Sequence, residues 1–161
     1  MFEINEILDI AIKIEENGEK TYRDAVITIS NPELTAMLIW MADQEAKHAS
    51  WFKQLKQDIA STSKNPFAEE MSRELINELL GDQSFSLKEV DFSKLRTVNQ
   101  LISVFIEFEN DGILFYEILK PFIEIEETLK NIDLIIMEEQ RHIERLQEFL
   151  VIEEALLVSN N

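Results

Sequence analysis

The only two histidines of this 161-residue chain each follow a glutamate by three positions, Glu45 with His48 and Glu139 with His142. The two pairs stand 94 positions apart, and at the same offset Glu15 recurs as Glu109. Residues three apart on a helix project from one face, so each Glu-x-x-His pair can address a single point. A helix carrying one Glu followed by a helix carrying Glu-x-x-His, twice over, is the ligand set for two metal ions held between four helices.

The chemistry follows from charge. An isolated ionised carboxylate in a low-dielectric interior costs several kcal/mol or more, and buried acids therefore change protonation state or find a counter-charge. No Lys or Arg lies on the apolar stripes that carry these residues. Four carboxylates and two neutral imidazoles around two divalent cations are formally neutral, which removes the difficulty. A carboxylate-rich set with one nitrogen per ion suits iron, with manganese or mixed occupancy as alternatives, whereas thiolate ligands are ruled out because the sequence has no cysteine. Two such ions with open positions can bind and reduce dioxygen or peroxide, or oxidise ferrous iron.

The competing reading is an acidic bundle with solvated faces. Acidic residues number 32 of 161, so a lone Glu-x-x-His arises easily by chance. The common offset, the matched Glu15 and Glu109, and the inward phase of all six residues favour the metal reading. By the same phase Glu16, Glu107 and Glu138 belong to solvated faces, and Glu19 is an exposed ion-pairing residue. Tyr22 and Tyr116, the only tyrosines, obey the same offset. Either each phenol donates a hydrogen bond that orients a ligand carboxylate, or both are core residues with a satisfied hydroxyl. Gly18 and Gly112 also match. A glycine inside a helix costs roughly 1 kcal/mol against Ala, so the space is wanted, either for an oxidant or, the favoured reading, for close helix packing.

The elements that must position these residues are helices. Three prolines and three glycines interrupt a helical periodicity that is otherwise nearly continuous. One helix spans about 5 to 29, and Ser30-Asn31-Pro32 supplies a cap and a first-turn proline for a second that ends near Ile59. A third runs from about Lys94 to Leu119, and Pro121 separates it from a fourth, roughly Ile123 to Leu150. The polar stretch between the pairs, bracketed by Pro66 and Gly81, holds a short amphipathic helix over 69–80. The expected architecture is thus all-α: one ferritin-like four-helix bundle of hairpin 5–59, crossover 60–93, hairpin 94–150 and a C-terminal tail 151–161. Stripes stepping by threes and fours, such as Leu8, Ala11, Glu15, Gly18, Tyr22 and Ala25, face its core.

With 15 basic against 32 acidic residues, the net charge of -17 repels nucleic acid and anionic lipid and concentrates cations. The start of the chain alternates apolar and charged residues, unlike a signal peptide, and no apolar run approaches a membrane span. The expectation is a cytoplasmic protein with no nucleic-acid or membrane partner.

The segments Ile-Glu15-Glu-Asn-Gly-Glu-Lys-Thr-Tyr22, Asp-Gln-Glu45-Ala-Lys-His48, Phe-Glu109-Asn-Asp-Gly-Ile-Leu-Phe-Tyr116 and Glu-Glu139-Gln-Arg-His142 resemble the rubrerythrin-like branch of the ferritin-like di-iron proteins. The resemblance covers the four long helices. It implies a non-haem di-iron centre ligated by Glu15, Glu45, His48, Glu109, Glu139 and His142, and peroxide reduction or ferrous-iron oxidation as its activity. Full-length rubrerythrins add a rubredoxin domain whose iron is held by four cysteines; none is present here, so electrons must come from an external electron-transfer protein. Gly112 stands where the family typically adds a carboxylate, which makes the set more similar to the ferroxidase centre of bacterioferritins. The third helix is apolar nearly all round, and Trp40 and Trp51 share a face of the second, which together with the family resemblance points to a homodimer. The alternative function is a non-catalytic iron- or oxygen-responsive binding module.

Overall fold

In the computed structural model, which describes residues 4–60 and 90–159, the amphipathic stripes become four long helices. They are α1 (Ile4–Val26), α2 (Pro32–Ala60), α3 (Val98–Leu119) and α4 (Glu126–Ser159). The short connections 27–31 and 120–125 make α1 and α2 one antiparallel hairpin and α3 and α4 another.

Local chemistry fixes the ends. Asn31 caps α2, its Oδ1 accepting from the amides of Glu33 and Leu34 at 3.0 and 3.1 Å, while Pro32 sits at the first helical position, where no amide hydrogen is needed. Helix α1 stops at Val26, three residues before the sequence reading placed its end. The β-branched run Val26-Ile27-Thr28-Ile29 is poor helix former, and the amides of Ile27 and Thr28 close tighter turns onto Asp24 and Ala25 at 3.2 and 2.9 Å.

The third helix begins at Val98 rather than Lys94. A 3-10 turn, Phe92–Lys94, comes first. Thr97 then caps α3 by accepting from the Gln100 amide at 3.1 Å, and Gln100 reaches back to the Arg96 amide at 2.7 Å, a near relative of the capping box that Thr-x-x-Gln announces. A second 3-10 turn, Lys120–Phe122, holds Pro121 and delays α4 to Glu126. Helix α4 continues to Ser159, through most of the stretch expected to be a tail. The expected helix over 69–80 lies outside the described residues.

Burial divides the interior into two apolar plugs. One contains Leu8, Ala11, Phe52, Leu55, Phe115, Leu119 and Ile132, and the other Ala25, Leu34, Leu38, Met41, Ile102, Phe105 and Leu146. Between them in sequence, on every helix, comes a buried acid: Glu15, Glu45, Glu109 or Glu139. Among the described residues no helix is long and apolar enough to cross a membrane.

Candidate metal centre

Each helix contributes its inward stripe at the level between the plugs. Helix α1 brings Glu15, α2 brings Glu45 and His48, α3 brings Glu109, and α4 brings Glu139 and His142; none of the six is more than 5% exposed. The sequence repeat becomes a spatial one. Ligand atoms of Glu15, Glu45, His48 and Glu139 lie within 4.8 Å of one another, as do those of Glu45, Glu109, Glu139 and His142. Glu45 and Glu139 belong to both groups, the placement of bridging carboxylates, while one Glu and one His are particular to each.

Nδ1 is the imidazole atom turned inward in both rings. That of His48 is 2.9 Å from Glu139 Oε1 and 3.4 Å from Glu15 Oε2. That of His142 is 3.0 Å from Glu139 Oε2 and 3.4 Å from both Glu45 Oε1 and Glu109 Oε2. Several of these close approaches are not hydrogen bonds. Glu15 Oε2, Glu45 Oε1, His48 Nδ1 and both carboxylate oxygens of Glu139 are buried without a hydrogen-bond partner among the described residues. Buried polar atoms are almost always paired, so lone pairs converging with nothing between them are what a bound cation would satisfy. The donor set fits two divalent ions.

Protonation shows the same demand for positive charge. Burial pushes the Glu45 carboxyl well above the carboxylate range, with repulsion from Glu139, Glu109 and Glu15 adding to it. Burial, then Glu139, raises Glu109 to about 8. Burial also works against Glu139, but contacts with Glu109, His142 and His48 outweigh it and hold that carboxyl below its usual range. Burial would lower both histidines; the carboxylates facing them win, raising His48 to about 12 and His142 likewise upward. Without cations, protons do the neutralising.

The tyrosines settle into the first of their two readings, crosswise. The Tyr22 hydroxyl, from the first hairpin, donates to Glu109 Oε1 in the second, and Tyr116 returns the favour to Glu15 Oε1. Burial pushes both phenols well above their ordinary range, so they stay donors. Each ties down the carboxylate particular to one group.

The glycines border both neighbouring side chains and the interior of the site. A Cβ on Gly18 would meet only the Glu45 side chain, its Oε2 at 3.4 Å, and one on Gly112 would meet Tyr116 and Ile14 side chains at 3.7 and 3.9 Å. No backbone approaches closely. The space borders a void of about 10 Å³ lined by both glycines, both tyrosines, Glu45, Glu109 and Glu139. That is room for about one water-sized species.

Glu138 departs from its expected place on a solvated face. Its Oε2 lies 2.6 Å from His48 Nε2, so its carboxylate holds the outer edge of that ring. Side-chain phase alone hid this, because a long Glu beside an inward residue can lean across to the neighbouring helix. Trp40 is a second unforeseen neighbour, edge-on to the His142 ring at 5.2 Å with the Arg145 guanidinium 5.0 Å over its own ring. Glu16 and Glu19 remain at the surface, paired with Lys53 at 2.6 Å and Arg23 at 2.8 Å.

Comparison with known proteins agrees with this geometry. The family model described as Rubrerythrin matches residues 6–81, which include nearly all of the first hairpin with Glu15, Glu45 and His48. A crystal structure of a candidate ferritin-like diiron-carboxylate protein from Thermotoga maritima is similar, with a TM-score of 0.66 and 23% identity over 91% of this chain and 93% of that one. No curated protein sequence matches. The chain is rubrerythrin-like over its first half, and its fold is the ferritin-like bundle.

Proposed function

We propose that this chain holds two iron ions between its hairpins and uses them as an oxidoreductase, reducing peroxide or dioxygen or oxidising ferrous iron. Glu15, Glu45, His48 and Glu139 would hold one ion, and Glu45, Glu109, Glu139 and His142 the other. The observation that carries this reading is the pair of overlapping buried groups, several of whose facing oxygen and nitrogen atoms lack hydrogen-bond partners among the described residues. When bound, two neighbouring iron ions would supply a pair of one-electron couples able to act on a small oxidant.

The protein's own residues set the conditions for that chemistry. Tyr22 and Tyr116 orient the terminal carboxylates, and Glu138 orients His48. The two apolar plugs exclude bulk water above and below. The void beside Gly18 and Gly112 admits only a species of a few atoms, which favours dioxygen or peroxide over any organic substrate. Reducing equivalents would arrive from an external electron-transfer protein. A cytoplasmic homodimer is part of the same reading; Leu114 on α3, 43% exposed in the single chain, would be covered in such a dimer.

The test is a single-turnover experiment. Metal-free protein is loaded anaerobically with two ferrous ions per chain and mixed with peroxide, and the expected result is oxidation much faster than that of free ferrous iron. Oxidation at the free-ion rate, with both ions demonstrably bound, would overturn the redox role while leaving the metal site standing.

A further inference from the structure

The duplication that equates Glu45 with Glu139 and His48 with His142 breaks one position earlier: the residue before Glu139 is Glu138, and the residue before Glu45 is Gln44. The consequence lies on the outer edges of the two rings. His48 Nε2 meets Glu138 at 2.6 Å, whereas His142 Nε2 is fully buried and has no hydrogen-bond partner among the described residues.

Hydrogen-bond accounting makes this difference matter. A carboxylate only accepts, so the Nε2 of His48 carries the hydrogen in that contact and its Nδ1 lone pair is left for the cavity shared with Glu15 and Glu139. The neutral His142 ring must likewise keep its hydrogen on Nε2 if Nδ1 is to bind a cation. There the hydrogen finds no acceptor among the described residues; Trp40 packs at right angles to the His142 ring, and the Arg145 guanidinium over the Trp40 ring adds positive charge. A buried N–H left unpaired penalises the state that requires it.

Resting on the two-metal reading above, we propose that Glu138 is a positioning residue that makes the halves of the centre unequal. The half built on Glu15 and His48 takes up its divalent cation first. The half built on Glu109 and His142 fills second and holds its cation about 10- to 100-fold more weakly, the range associated with losing a ligand's outer hydrogen-bond partner.

Zinc is a suitable probe because it is diamagnetic and lacks redox chemistry of its own. Metal-free protein is titrated with zinc(II) while the imidazole nitrogens are followed by NMR. Two histidines give two ring signals, and the His142 ring is identified by its contact with Trp40. The expected result is that the His48 signal moves over the first equivalent and the His142 signal over the second. Glu138→Leu should bring the two affinities together, and Gln44→Glu, at the partly exposed matching position, should strengthen the second step about 10-fold.

Parallel filling in the unaltered protein, filling of His142 first, or an affinity ratio unmoved by both variants would each overturn the inference and leave the two-metal reading intact. Circular dichroism unchanged from the parent shows that a null result is not a folding defect. If fewer than two zinc ions bind and neither ring responds, the two-metal reading fails and takes this inference with it.

Discussion

Replacing Tyr22 by Phe removes one oxygen atom from a fully buried position and leaves the ring, edge-on to Phe105 at 5.0 Å, in place. The atom lost is the donor to Glu109 Oε1. With cations bound, Glu109 is a charged carboxylate, and a hydrogen bond to such a group contributes about 1.5–3 kcal/mol. The void of about 10 Å³ beside it, enlarged by the missing oxygen, has room for a water that restores part of that bond. The expected loss is therefore in the lower part of the range, about 1–2 kcal/mol. In a domain of this size, each kcal/mol lowers the melting temperature by roughly 2–4 °C. Without cations, Glu109 is raised to about 8 and is mostly protonated at neutral pH, so the bond joins two neutral groups and its loss costs nearer 0.5–1 kcal/mol. The assay is thermal unfolding of parent and variant, metal-free and at one fixed excess of metal, since ligand concentration itself shifts the midpoint. A loss below about 0.5 kcal/mol in the loaded protein, or an equal loss in both states, would refute the claim that this phenol acts on a metal-binding carboxylate.

Three further outcomes follow from the same geometry. Gly112→Ala should stabilise the protein by about 0.5–1 kcal/mol in thermal melts, because helix propensity improves and the new methyl meets only ordinary contacts; Gly18→Ala should gain less and weaken metal affinity, because its methyl presses on Glu45. Glu45→Ala or Glu139→Ala should abolish binding of both ions, since each serves both groups, while Glu15→Ala or Glu109→Ala should leave about one per chain, as read by metal analysis after desalting. Finally, the metal-free fold should lose stability as pH rises, through Glu109 between 4.5 and about 8 and through His48 between 6.5 and about 12, and so most steeply from about 6.5 to about 8. Glu109 is raised from 4.5 to about 8 and His48 from 6.5 to about 12, so the stability each adds is complete below the lower value and is lost as pH rises through the upper one. Glu139, shifted the other way, loses its contribution only at acid pH and does not oppose this trend. Metal affinity should rise over the same window, because binding displaces protons.

The six inward residues were legible because they share the helical stripe with the core: a residue type that burial forbids, recurring in phase with Leu and Phe, stands out from sequence alone. So did the hairpin turn at Asn31-Pro32, where cap and proline act locally. Helix ends were less accessible. The closing turn after Val26 and the Thr97 cap depend on which of several weak local signals the packed chain selects, and the continuation of α4 past Leu150 had no stop signal to mark its true end. Glu138 and Trp40 escaped for a different reason. Both reach the site sideways from a neighbouring helix, and the stripe rule sees only what points straight inward. The glycines were noticed, but sequence shows only that space is reserved and not what borders it.

The crosswise tyrosines mean that neither hairpin can finish a site alone: the phenol of each completes the carboxylate of the other. A half-length chain with one such hairpin would already possess every part, provided that it met a second copy of itself. What that pair could never do is differ between its members, because any substitution would appear on both sides at once. Joining the halves into one polypeptide lifts that restriction. It lets a single mutation place Glu at 138 while Gln stays at 44, and so turns a symmetric cavity into one with a direction.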